Sequence, residues 1–158
     1  MFELARWTLA AALAFAGAAF AADAPLRIVA TSADLKSLVE AVGGDQVSVE
    51  IVAPPAGEPR AVELKASQIL RLKGAALILR VGLDHEPWFA KMKLTAPVVD
   101  VSRGIELLHN NPRYLLDPAN ARPITATIVK ELSKLRPASA AAFEENRTRF
   151  LEPRAISG

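Results

Sequence analysis

The chain has no cysteine, only two histidines (His85 and His109) and one tyrosine among its 158 residues. Without cysteine it has no disulfides and no thiolate chemistry, so any metal site must be built from nitrogen and oxygen donors. Two histidines restrict that donor set further. No charge of one sign predominates: 19 Lys and Arg stand against 17 Asp and Glu, interspersed, for a net charge of +2. That bias is too weak to argue for a nucleic acid or a membrane surface, and no basic stripe with interleaved aromatics is present. Enzyme signatures are missing as well. There is no G-x-S-x-G, no phosphate-binding glycine loop and no H-E-x-x-H. Glu144 and Glu145 are adjacent on a helical stretch and do not face one another. A protein that is not an enzyme is expected.

One long apolar run is present, at the start. Arg6 precedes a stretch from Trp7 to Phe20 broken only by Thr8 and Gly17, and Ala19-Phe20-Ala21 supplies the small-x-small pattern of a cleavage site. This reads as a secretory signal over residues 1–21, because the run is short for a membrane span and Asp23 and Pro25 follow at once. An exported, periplasmic chain is expected. The remainder is long enough for one domain with one core.

Strand and helix patterns then alternate. Leu26–Ala30 is a short branched apolar run, and Thr31 or Ser32 can cap the helix after it. In that helix Leu35, Leu38, Val39 and Val42 form one stripe, closed by Gly43-Gly44. Residues 47–53 read as a second strand. It leads into a stiff loop, "APPAGEPR", that ends at Arg60. A short helix from Ser67 to Gly74, a third strand at 75–82, a helical turn or two around Trp88, Phe89 and Met92, and a fourth strand at 97–102 follow. This order predicts βαβ units and an α/β fold with a parallel sheet of about four strands. Ligands in such sheets sit beyond the carboxyl ends of the strands. Asp117-Pro118 then starts a helix with the stripe Ile124, Ile128, Leu132 and Leu135. Pro123 either kinks that helix or marks its true start. Pro137 opens a last helical stretch carrying Phe143 and Phe150, which Pro153 stops.

These pieces, in this order, resemble the zinc/manganese-binding periplasmic solute-binding proteins of metal ABC transporters. The resemblance is carried by "LRIVATSADLKSLVEAVGGDQVSVEIVAPPAGEPR", "ASQILRLKGAALILRVGLDHEPWFAKM", "NPRYLLDPANA" and "LRPASAAAFEENRTRFLE". It covers nearly all of residues 26–151 and corresponds to the family's first lobe plus the start of the helix that links its two lobes. The division it implies is a signal at 1–21, an α/β binding lobe at 22–136, the start of the interlobe helix at 137–152 and a tail at 153–158. Zinc or manganese as transported ligand, and an inner-membrane permease with its ATPase as partners, are further implications. A second lobe, which supplies the family's other ligands, has no counterpart in the chain.

At both first-lobe ligand positions, where the family has histidine, this chain has arginine: Arg60 after the proline loop and Arg113 in "NPRYLLDP". Arginine stays protonated and offers only donors, so it cannot ligate zinc but can clamp a carboxylate or phosphate. Both arginines also read as ordinary solvated loop residues. His85, with Asp84 or Glu86 alongside, and His109, four residues before Arg113, are candidate substitute metal ligands; both also read as surface histidines. Asp117 reads as a helix cap, and Trp88 and Phe89 as core. Three readings stay open: a metal-capture lobe, an anion-binding or adaptor module using Arg60 and Arg113, and a truncated gene product without a function of its own. Apolar surface around Phe143 and Phe150 on the last helix implies self-association or poor stability.

Overall fold

The computed structural model describes residues 24–52, 64–105, 115 and 117–152. The signal-like run at 1–21, the proline loop with Arg60, and the segment with His109 and Arg113 lie outside those residues. Four branched apolar runs become four parallel strands: β1 (Leu26–Ala30), β2 (Val47–Ile51), β3 (Leu77–Arg80) and β4 (Val98–Asp100). Their order is β2-β1-β3-β4, with Ile28 opposite both Val49 and Leu77, and Leu79 opposite Val99. The chain is therefore α/β, with one parallel sheet and flanking helices.

Because alternate residues of a strand face opposite sides, the two faces of the sheet carry different cores. Ile28, Ala30, Val47, Val49, Leu77, Leu79, Val81 and Val101 point to one face. There they meet α1 (Ala33–Gly43), α3 (Pro118–Leu135) and α4 (Ala140–Leu151). Leu35, Leu38, Val39 and Val42 of α1 are buried, as are Ile124, Ile128 and Leu132 of α3 and Phe143 of α4. The other face holds a smaller cluster of Val29, Val52, Ile78, Leu72, Trp88 and Phe89. Leu72 comes from α2 (Ala66–Lys73), and the two aromatics from a 3₁₀ turn at Pro87–Lys91. Trp88 and Phe89 are thus core residues.

Local chemistry accounts for the helix ends. Ser32, not Thr31, caps α1, accepting the Leu35 N–H at 3.1 Å. A Cβ on Gly43 would collide with the methyls of Val47, and Gly44 closes the helix at φ 57°. Asp117 caps α3 through the Ala119 N–H at 2.9 Å, and the helix runs through Pro123 from Pro118. A start at Pro123 is thereby ruled out.

One correction concerns the last helix. Phe143 is fully buried and contributes nothing to the surface; of the expected apolar pair only Phe150 is exposed. Two side chains on the last helix also tie it to the lobe. Asn146 donates to the Val42 carbonyl at 3.0 Å, and Arg147 reaches the Thr125 hydroxyl at 3.2 Å and the Arg122 carbonyl at 3.3 Å.

Candidate functional site

With the order β2-β1-β3-β4, the connection from β1 to β2 and that from β2 to β3 pass on opposite faces of the sheet. The strand order reverses between β1 and β3. Beyond their carboxyl ends lies the crevice in which open α/β sheets usually receive ligands. Here it is filled from within. Thr31, directly after β1, donates its hydroxyl to Glu86 Oε1, and both side chains are buried. The same carboxylate accepts the N–H of Val81 at 2.8 Å and, through Oε2, that of Gly82 at 3.0 Å. Two successive backbone N–H groups and one hydroxyl thus converge on one carboxylate, a small anion nest of the kind that offsets the desolvation of a buried charge.

The nest depends on an uncommon backbone. Gly82, Leu83 and Asp84 all have positive φ (81°, 56° and 56°), and the His85 N–H closes the turn on the Gly82 carbonyl at 3.0 Å. For leucine this left-handed conformation costs about 1 kcal/mol or more. The half-buried Leu83 side chain packs against the main core, and the Glu86 bonds hold the turn at its other end. Asp100, at the end of β4, lies against Gly82 so closely that a Cβ there would overlap its carboxylate. Asp100 is itself held by the Ser102 N–H (3.0 Å), the Ser102 hydroxyl (2.6 Å) and Arg80 (3.2 Å), whose guanidinium lies over the Phe89 ring. The loops after β1, β3 and β4 are therefore joined by contacts through Glu86 and Asp100.

This arrangement sorts the residues singled out in the sequence. His85 and Asp84 are exposed on the rim of the turn, whereas Glu86, one residue further on, is buried and occupied by backbone donors. The pairing of His85 with Glu86 therefore has no geometric support; a carboxylate beside His85 would be Asp84. Arg60, Arg113 and His109 lie outside the described residues, and Asp117 is engaged as a helix cap. Among the described residues, no group of three or more His, Asp or Glu side chains is placed to hold a metal. The role of Glu86 was not legible in the sequence. The local signal was a carboxylate immediately before Pro87-Trp88, combined with Thr31 at the end of the neighbouring strand.

The comparisons with known proteins agree with this architecture. The family model for the periplasmic zinc-uptake complex component A, ZnuA, matches residues 28–153. A putative metal-binding protein of Thermotoga maritima is 35% identical over 92 residues, covering 58% of this chain and 34% of that protein. The iron-binding protein YfeA of Yersinia pestis is 26% identical over 138 residues, covering 80% of this chain and 44% of YfeA. A crystal structure of ZnuA superposes with a TM-score of 0.73 at 29% identity, over 80% of this chain and 53% of that one. The chain spans about half or less of the length of these relatives. With a family match over most of its length and the lobe architecture to go with it, the chain belongs to the periplasmic zinc-uptake component A family.

Proposed function

We propose that the chain is a first lobe of metal-capture type, exported to the periplasm through residues 1–21 and serving an inner-membrane permease and its ATPase. The observation that supports this best is the family match over residues 28–153. Zinc or manganese is its cargo in this reading, in keeping with the zinc-uptake family model. In this reading residues 22–136 are the capture lobe, and 137–152 begin the helix that would continue toward a second lobe.

The donor chemistry decides which residues carry the metal. Zinc requires a lone pair held about 2 Å away, which a guanidinium does not offer. Arg60 and Arg113 therefore cannot ligate it. His85 on the exposed rim and His109 are the nitrogen donors available, with Asp84 the carboxylate beside His85. A site completed by a second molecule would bring further donors.

A second reading rests on a different observation, the presence of arginine at both positions where the resemblance places histidine. Two guanidiniums there suit a carboxylate or phosphate. Thermal-shift measurements with zinc, manganese, phosphate, sulfate and succinate separate the two, since a ligand that binds only the folded state raises its melting temperature. A metal-induced rise lost in His85→Ala supports metal capture. An anion-induced rise lost in Arg60→Ala supports the clamp, and equal rises in wild type and Arg60→Ala remove it.

A further inference from the structure

We propose that Glu86 is a positioning residue for ligand capture: its carboxylate fills the switch-point crevice and locks the loops after β1 and β3, which moves capture outward to the rim bearing Asp84 and His85. The capture itself rests on the function proposed above; the locking does not. Glu86 accepts three hydrogen bonds from two loops 50 residues apart, from the Thr31 hydroxyl and the Val81 and Gly82 N–H groups. It is buried, so no ligand reaches those donors while the carboxylate is in place. Thr31 bridges the crevice from the β1 side to the β3 side, since its hydroxyl also accepts the Val81 N–H at 3.1 Å while its own N–H donates to the Leu79 carbonyl.

The consequence is a rim that is built before any ligand arrives. The left-handed turn 82–84 is costly for Leu83 on its own, and the bonds from its first residue to Glu86 hold the turn against relaxation. Asp84 and His85 extend from that turn. Removing the lock should therefore loosen the rim without dissolving the sheet, and a small carboxylate should be able to replace the missing one.

The test uses the full mature chain with Glu86→Ala, Thr31→Val and Thr31→Ser, read by amide hydrogen exchange of residues 81–86 against residues 26–30. Glu86→Ala is expected to speed exchange at Val81 and Gly82 at least about tenfold relative to β1. Added formate should restore protection where equal chloride does not. Thr31→Val should act in the same direction and Thr31→Ser should resemble wild type. Thr31→Val serves alone if Glu86→Ala does not fold. Wild-type protection at 81–86 in Thr31→Val, or restoration by formate and chloride alike, overturns the lock. Calorimetry with zinc is the second arm. Where wild type takes up zinc, Thr31→Val should weaken it about tenfold, the lower end of what loss of an outer-shell partner costs a metal site, and Thr31→Ser should not. Equal zinc affinity in Thr31→Val and wild type overturns positioning. If wild type takes up no zinc, the metal reading falls while the exchange result still decides whether Glu86 locks the rim.

Discussion

Gly82 and Asp100 touch so closely that no side chain fits between them: a Cβ at position 82 would overlap the Asp100 carboxylate. Gly82 also has φ 81°, a region that L side chains rarely adopt. Gly82→Ala is therefore expected to cost about 2 kcal/mol or more in urea unfolding, from backbone strain and overlap together. The overlap part disappears in the Asp100→Ala background, so the double-mutant cycle should show coupling of about 1 kcal/mol. Additive single effects would place the whole cost in the backbone.

The adjacent hydroxyls Thr31 and Ser32 do different work. Ser32→Ala should lose one helix cap, about 1 kcal/mol of stability, with the loops beyond the sheet unaffected. Thr31→Val leaves a buried carboxylate short of a donor and should cost about 1–3 kcal/mol. Denaturant titration of the two variants checks the order; a larger loss in Ser32→Ala would contradict it.

The two phenylalanines of the last helix should separate stability from association. Phe143 is fully buried beside α1 and α3, so Phe143→Ala is expected to lose about 3–5 kcal/mol. Phe150 is 42% exposed, and Phe150→Ala should change stability by less than about 0.5 kcal/mol. Light scattering is expected to show self-association of the wild type that Phe150→Asp reduces. A wild type that stays monomeric at high concentration would remove the association.

Polar pins hold α4 (Ala140–Leu151) to the lobe. Asn146→Ala should free the Val42 carbonyl and cost about 1 kcal/mol, and Arg147→Met should lose the contacts to Thr125 and Arg122 at a similar cost. The melting temperature of each variant reports this. Arg149→Ala, which breaks only an exposed pair with Glu145, should be nearly silent.

Most of the sheet was legible because its signals are local. Branched apolar runs marked the strands, and the spacing of Leu35, Leu38, Val39 and Val42 marked the helix face that is buried. The order βαβ then entailed parallel pairing. The choice between Thr31 and Ser32 as cap was not legible, since both side chains suit the position; only the long-range partner Glu86 separates them. Glu86 itself looked like a rim carboxylate because its neighbours Asp84 and His85 are polar. Its burial depends on a left-handed turn at Leu83, a residue type that gives no local sign of positive φ. Phe143 was misplaced for a related reason. The helix stripe shows that a residue lies on the apolar face, but not that α1 and α3 already cover it.

The proposed function is metal capture by a lobe that has Arg60 and Arg113 where the resemblance places the first-lobe histidines. Calorimetric titration of residues 22–158 with zinc tests it most directly, with His85→Ala as the control. Saturable uptake of zinc at micromolar concentration, abolished in His85→Ala while its unfolding midpoint stays at the wild-type value, is the predicted result. No heat from a folded wild type at micromolar zinc, or uptake that His85→Ala leaves intact, would contradict it.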